Sequence, residues 1–122
     1  MAGRKILVID DEEKYCRIIK KSLETKGAFR VLTATTGQEG IRLARTAKPD
    51  IILLDIMMSD MGGTEVAENL LDDPLTSGIP IVFVTAVISR NETGIVGGHD
   101  VIAKPVAPEE LIRKINAILS KS

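Results

Sequence analysis

Four short apolar runs in the sequence each end at a residue with a polar or charged side chain. The runs cover residues 6–9, 51–54, 81–84 and 101–103, and segments with helical periodicity separate them. Apolar runs of this length are typical of strands in a parallel sheet that is covered on both faces. The pattern therefore predicts an α/β fold in which strands and helices alternate.

The polar residues after these runs should meet at one edge of such a sheet. They are Asp10, Asp11, Asp55, Thr85 and Lys104. In doubly wound sheets, ligands bind outside the carboxyl ends of the strands, where the strand order reverses. We therefore expect one crevice that contains three carboxylates, a hydroxyl and an ammonium.

The periodicity predicts five strand–helix units in one domain over residues 1–122. Strands are expected at 5–9, 29–33, 51–54, from Pro80 and at 101–103. Helices are expected at 12–26, 38–47, 64–71, 89–96 and from Pro108. Gly27 is expected to end the first helix, and glycines at 94, 97 and 98 weaken the fourth. These units predict a doubly wound, flavodoxin-like sheet with strand order 2-1-3-4-5 and helices on both faces.

Composition argues against several classes of protein. Sixteen basic and 17 acidic residues give a net charge of −1, so the basic excess of nucleic-acid-binding domains is absent. No apolar stretch reaches the ~18 residues of a membrane span, and the first strand begins too early for a signal peptide. Cys16 is the sole cysteine, which fits helix packing in a reducing compartment. We expect a cytoplasmic protein without direct contact to nucleic acid or membrane.

The three aspartates suggest a cation site. Asp10, Asp11 and Asp55 would repel one another strongly if they were close, and Mg²⁺ prefers such hard oxygen ligands. Two ordinary roles compete with this interpretation. Asp10 with Glu13 fits a helix capping box, and Asp55 is also compatible with a simple position in a loop after a strand.

Thr85 and Lys104 favour a phosphoryl group as the ligand beside the cation. A transferred phosphoryl group needs positive charge and hydrogen-bond donors for its oxygens. Taken alone, each residue would more often be structural or solvated, but both coincide with strand ends. The acidic residues 10–13 do not suit a flavin-phosphate loop, and no P-loop motif occurs. A haloacid-dehalogenase-like phosphohydrolase would need a second aspartate at the position of Met57.

These residues resemble the receiver domains of bacterial two-component response regulators. The resemblance extends over nearly the whole chain and rests on residues 6–11, 53–58, 84–86, Gly63 and the Lys104-Pro105 pair. It implies that Asp55 is the phosphoacceptor and that Thr85 and Lys104 hold the phosphoryl oxygens. It also implies an Mg²⁺ ion bound directly by Asp11, Asp55 and the Met57 carbonyl, and by Asp10 through water.

The resemblance further implies the partners. The donor would be a phosphohistidine on a histidine kinase or phosphotransfer protein, or a small phosphodonor. The phosphorylated state would pass to a downstream protein or output domain that the sequence does not identify. Such a chain assists its own phosphorylation and dephosphorylation and is not an enzyme for a separate substrate. A constitutive protein-interaction module on the same scaffold is the alternative.

The sequence departs from the family pattern at three places. Ser59 stands where the family often has proline, Val101 replaces a usual tyrosine or phenylalanine, and the interval from Thr85 to Lys104 is shorter by roughly one helical turn. The last two changes fall on the fourth helix and fifth strand. The phosphorylation chemistry is therefore expected to be intact, without the usual aromatic switch. His99 is expected in a loop.

Overall fold

Strands and helices alternate along most of the chain, in the order that the apolar runs predict. The computed structural model describes residues 3–86, 94–96 and 99–120. The strands are β1 (Lys5–Ile9), β2 (Arg30–Ala34), β3 (Ile51–Leu54), β4 (Ile81–Thr85), β5 (Gly94–Val96) and β6 (His99–Ala103). The helices are α1 (Glu13–Gly27), α2 (Gly37–Ala47), α3 (Gly63–Asp72) and α4 (Pro108–Leu119). Up to β4, predicted and observed ends differ by at most one residue.

One sheet carries the six strands in the order β2-β1-β3-β4-β6-β5. The first five strands in this order are parallel to their neighbours. This confirms the doubly wound order 2-1-3-4-5 predicted from the sequence, with β6 as the fifth parallel strand. Because β1 lies between β2 and β3, the carboxyl ends of β1 and β3 are adjacent at the point where the strand order reverses.

The segment before β6 is where the sequence prediction is wrong. A helix is expected over residues 89–96, whereas Gly94–Val96 is a strand that pairs antiparallel with β6. A glycine inside a helix costs about 1 kcal/mol relative to alanine, and here β6 offers the backbone partners instead. Residues 87–93 and 97–98, which include the rest of that predicted helix, lie outside the described residues. His99, expected in a loop, is the first residue of β6.

Helices cover both faces of the sheet, which explains why the strands are apolar on both sides. Ile6 and Val8 of β1 belong to a buried cluster with residues of α1 and α4. Leu7 and Ile9 belong to the opposite cluster, with residues of α2 and α3. Cys16 lies in the first cluster, in the packing role predicted for it. Within the described ranges, no helix is long and apolar enough to cross a membrane.

The end of α1 differs from the prediction in its mechanism. The residue with left-handed backbone is Ala28, at φ 58°, and its amide donates to the Leu23 carbonyl. Gly27 is the last helical residue, and a Cβ there would lie 2.6 Å from the ring of Phe29. A larger residue at 27 would therefore displace the Phe29 ring, and the left-handed turn falls on Ala28 instead of the glycine.

Candidate functional site

Asp10 and Asp55 lie next to each other at the carboxyl ends of β1 and β3. The Asp55 amide donates to the Ile9 carbonyl, and the Asp10 amide donates to the Ala34 carbonyl, both at 3.0 Å. These bonds extend the hydrogen-bonded ladder one residue beyond each strand. Only 1% of Asp10 and 7% of Asp55 is exposed to solvent. The sheet therefore fixes the backbone of both aspartates and buries their side chains.

Asp11 completes a cluster of three carboxylates, as the sequence predicts. Asp10, Asp11 and Asp55 each contribute one oxygen, and these oxygens lie within 4.8 Å of one another. Asp11 is half-buried, and its Oδ2 accepts a hydrogen bond from the Ser59 amide at 3.1 Å. Three hard oxygen donors at this spacing suit a divalent cation such as Mg²⁺.

The competing interpretation of Asp10 as a helix cap is wrong. Glu12 is the N-cap residue of α1, and no side chain caps that helix end by a hydrogen bond. Asp10 Oδ1 instead accepts from the Glu12 amide at 2.9 Å, two residues away. Burial raises the pKa of the Asp10 carboxyl, although a bond from Lys104 and the Glu12 amide favour its ionised form. The Asp10 carboxylate therefore contacts Lys104 in the crevice through one oxygen and the residue before α1 through the other, without being the N-cap itself.

Lys104 brings the positive charge that the sequence predicts. Its Nζ lies 2.5 Å from Asp10 Oδ2 and 3.3 Å from Asp55 Oδ2. Its side chain is 11% exposed. Burial acts to lower the pKa of the Lys104 ammonium, but its interactions with Asp10 and Asp55 outweigh burial and raise that pKa. The ammonium is therefore charged and held among the carboxylates.

Thr85 ends β4 at the same edge of the sheet. It is fully buried, and its carbonyl accepts from the Lys104 amide at 2.9 Å. The peptide bond between Lys104 and Pro105 is cis. The hydrogen bond between the Lys104 amide and the Thr85 carbonyl therefore links the residue after β6 to the end of β4. The role of the Thr85 hydroxyl toward a phosphoryl group stays a prediction.

The loop after β3 folds back onto the Asp55 carboxylate. The Met57 amide donates to Asp55 Oδ1 at 3.2 Å, and the Met57 side chain is 58% exposed. A Cβ on Gly63 would lie 2.2 Å from the Asp55 carbonyl oxygen. Glycine at 63 therefore lets the start of α3 approach the Asp55 main chain. The Met57 carbonyl as a metal ligand stays a prediction.

The sequence does not single out two side chains, Tyr15 at the site and Asp60 in the loop after β3. The Tyr15 ring centroid lies 4.1 Å from Lys104 Nζ. Both carboxylate oxygens of Asp60 lie 2.9 Å from the Gly37 amide, so this loop is tied to the start of α2, and that bond lowers the pKa of Asp60. Tyr15 carries one signal that could have found it, because it is the sole tyrosine and lies in the first turn after the aspartates. Asp60 carries none.

The arrangement combines charges of both signs in a partly enclosed space. Three carboxylates can bind a divalent cation, and the ammonium can interact with an anion beside that cation. The cation, the ammonium and nearby main-chain donors are the groups that stabilise a phosphoryl group during transfer. The geometry therefore suits phosphoryl chemistry on a carboxylate.

Sequence comparisons agree with this geometry. The family described as response regulator receiver domain matches residues 6–116. The chain is 36% identical over 123 residues to the alkaline phosphatase synthesis transcriptional regulatory protein PhoP of Bacillus subtilis, covering 98% of this chain and 50% of that protein. It is 37% identical over 121 residues to protein PilH of Pseudomonas aeruginosa, covering 95% of this chain and 98% of PilH. The chain thus spans about half of one relative and nearly all of the other.

Solved structures show the same fold. The receiver domain of the Francisella response regulator 1452 superposes with a TM-score of 0.86 at 28% identity, covering 98% of each chain. A CheY-like receiver domain protein from Methanospirillum hungatei JF-1 gives a TM-score of 0.85 at 31% identity, covering 98% of this chain and 95% of that one. With the family match over most of its length, the chain belongs to the response regulator receiver domains.

Proposed function

We propose that Asp55 accepts a phosphoryl group in an Mg²⁺-dependent reaction and that the modified domain signals to a downstream protein or output domain. The family acts in phosphorylation-dependent signalling, which gives the general role. The observation that carries the specific proposal is the Lys104 ammonium, which lies between Asp10 and Asp55 at the carboxyl end of the sheet. A buried ion pair is a weak source of stability, so this concentration of charge favours a functional role.

The donor set fits the cation. Asp10, Asp11 and Asp55 supply three carboxylates against one ammonium, so the crevice retains an excess of negative charge when all are ionised. Their oxygens, with the Met57 carbonyl as a further proposed ligand, match the preference of Mg²⁺. When bound, the ion would neutralise part of the negative charge on the carboxylates and on the incoming phosphoryl group.

Asp55 acts as the nucleophile in this proposal. One of its carboxylate oxygens forms a bond to phosphorus while the bond from phosphorus to the donor nitrogen breaks on the opposite side. The leaving imidazole nitrogen keeps that electron pair. The Met57 amide orients Asp55 through Oδ1, and the Lys104 ammonium offsets negative charge on the transferred group. The Thr85 hydroxyl is proposed to donate to another phosphoryl oxygen.

The proposed donor is a phosphohistidine on a histidine kinase or phosphotransfer protein, which would place the reaction in the cytoplasm. The chain covers half of PhoP, which is named as a transcriptional regulatory protein, so the other half of PhoP lies outside the match. The chain covers almost the whole length of PilH. Both a separate downstream protein and an attached output domain are therefore compatible with this chain. Nothing in its charge favours direct nucleic-acid binding by the receiver domain itself.

Phosphorylation by acetyl phosphate tests the proposal. In Mg²⁺, the wild-type protein should gain the mass of one phosphoryl group, and Asp55→Asn should gain none. Asp100→Asn is the matched control, since Asp100 is an exposed aspartate in β6, and it should be modified like wild type. A gain that survives Asp55→Asn, or that maps to Asp10, Asp60 or Asp100, would overturn the assignment. Modification of the wild type that is lost in Asp55→Asn would also argue against the constitutive interaction module, which needs no phosphoacceptor.

A further inference from the structure

Tyr15 adds an aromatic ring to the crevice, and neither the proposed cation site nor the proposed phosphoacceptor assigns a role to it. It lies in the first turn of α1, and its ring packs at the edge of the buried cluster between α1, α4 and the sheet. The ammonium of Lys104 lies 4.1 Å from the ring centroid, within the ~6 Å of a cation–π interaction. The ammonium therefore has two kinds of partner, the carboxylates and the face of one ring.

The ring, and not the hydroxyl, is the part of Tyr15 that meets the site. The Tyr15 hydroxyl is buried and has no hydrogen-bond partner among the described residues. An unpartnered buried hydroxyl weakens a folded protein, so stability does not account for it. Phenylalanine would offer the same ring to Lys104 without that cost, whereas leucine would keep apolar packing and lose the ring's attraction for a cation.

The two kinds of partner respond differently to the proposed reaction. The carboxylate of Asp10 would turn toward a cation, and the carboxylate of Asp55 would become part of an acyl phosphate. Both hydrogen-bonded carboxylate partners of Lys104 would therefore change during one cycle. The third carboxylate, that of Glu12, is 68% exposed and lies 3.7 Å from the ammonium, and a solvent-exposed ion pair of this kind holds a side chain only weakly. Lysine has a long, flexible side chain, so an ammonium that loses its partners samples many positions. The Tyr15 ring is uncharged and takes no part in either change.

We propose that Tyr15 is a positioning residue that keeps the Lys104 ammonium at the crevice while its carboxylate partners change. The inference rests on the proposed function, because it assigns Tyr15 a role in placing Lys104 against the phosphoryl group. It predicts that the ring, acting through Lys104, strengthens binding of a phosphoryl group without affecting binding of the cation.

Beryllofluoride, a mimic of the phosphoryl group, tests this in wild type, Tyr15→Phe and Tyr15→Leu at saturating Mg²⁺. We expect Tyr15→Phe to bind it as wild type does. Tyr15→Leu should bind it roughly five- to thirtyfold more weakly, which corresponds to about 1 to 2 kcal/mol. Mg²⁺ alone should bind all three proteins equally. Tyr15→Met replaces Tyr15→Leu if urea denaturation shows that the leucine variant is unfolded.

Proton NMR gives a second measurement, which depends on the position of Lys104 relative to the Tyr15 ring and not on apolar packing alone. The ε-methylene protons of Lys104 should be shifted by the ring current in wild type and Tyr15→Phe, and the shift should persist when Mg²⁺ and beryllofluoride are bound. Loss of the shift on binding would overturn the proposal, as would equal beryllofluoride affinity in wild type and Tyr15→Leu, or an equal loss in Tyr15→Phe. Wild-type protein that binds no beryllofluoride would contradict the proposed function itself, and the positioning role with it.

Discussion

The carboxyl ends of β1 and β3 and the edge formed by β6 and β5 are built in opposite ways. Asp10 and Asp55 are buried, and each follows a strand that pairs along its length with strands on both sides. β6 has β4 on one side but only the three-residue β5 on the other, and Asp100 and Ala103 in it are exposed. The two buried carboxylates thus follow strands that are hydrogen-bonded on both sides, whereas Lys104 follows β6, whose outer neighbour is only three residues long.

Aromatic residues follow the same division. Val101 in β6 stands where the resemblance leads one to expect an aromatic ring, and it is buried in the cluster that contains Phe83. The ring that contacts Lys104 comes from the other side, from Tyr15 in α1. Phe83 instead meets the ring of His99 edge-on, with centroids 5.5 Å apart. The aromatic contact to Lys104 therefore comes from α1 and not from β6.

The largest expected effect concerns the cation and compares one aspartate from each region. Asp11→Ala removes a carboxylate oxygen from the cluster, so we expect Mg²⁺ to bind about a hundredfold more weakly, or about 2.7 kcal/mol. Asp100→Ala in β6 should leave the affinity unchanged, because Asp100 is exposed and outside the cluster. Titration followed by the fluorescence of Tyr15 can measure both, since the chain has one tyrosine and no tryptophan. Equal affinities in wild type and Asp11→Ala would reject the metal assignment.

A smaller effect tests how tightly the supported region is packed. Gly63→Ala would place a Cβ 2.2 Å from the Asp55 carbonyl oxygen, so the loop or α3 must move. We expect a loss of about 1 to 3 kcal/mol in the free energy of unfolding, as for other overpacked sites.

Gly78→Ala is the control for that change. Gly78 is exposed, and a Cβ there meets no atom within 4 Å. Urea denaturation should therefore show a change within about 0.5 kcal/mol, as is usual at the surface. Equal losses for the two variants would mean that the close approach at Gly63 does not constrain the Asp55 loop.

The difference between the strand ends and the edge formed by β6 and β5 also explains what could be predicted from the sequence. Asp10, Asp55, Thr85 and Lys104 follow apolar runs, and the carboxyl ends of parallel strands meet at one edge whatever the details of packing. The contact between Tyr15 and Lys104 could not be predicted, because it depends on the direction of both side chains, which hydrophobic periodicity does not give. The strand Gly94–Val96 cannot be predicted in the same way, because a short stretch with glycine has no clear hydrophobic period and its structure depends on pairing with β6.

Amide hydrogen exchange can test whether β5 and β6 respond when ligands occupy the crevice. The Lys104 amide is bonded to the Thr85 carbonyl, so a shift of Lys104 toward a phosphoryl group acts on the end of β6. On addition of Mg²⁺ and beryllofluoride we expect a larger change in amide exchange for β5 and β6 than for β2. Because the glycine-rich segment 89–98 adjoins the edge formed by β6 and β5, we expect the largest change there; of these residues, 94–96 form β5, and 89–93 and 97–98 lie outside the described residues. Asp55→Asn is the control, and an equal response in that variant would contradict the link.

The smallest expected effect is on the lifetime of the phosphorylated state. Water that hydrolyses an acyl phosphate must approach phosphorus opposite the Asp55 oxygen. By the family resemblance, Met57 and Val87 border that approach, and Val87 lies outside the described residues. Met57 is 58% exposed, and its amide is bonded to the Asp55 carboxylate. Its side chain is apolar and offers no group that could orient water. Asparagine there would offer polar atoms to a water molecule.

Phosphate release from the purified, phosphorylated protein in Mg²⁺ measures that lifetime. We expect Met57→Asn to release phosphate faster than wild type, by less than about tenfold, because an amide orients water but is not a general base. Leu75→Asn makes the same kind of change at another exposed apolar side chain, 50% exposed after the end of α3, and it should release phosphate at the wild-type rate. If Met57→Asn is no faster than Leu75→Asn, Met57 does not control the access of water, and the crevice must exclude it through its buried groups instead.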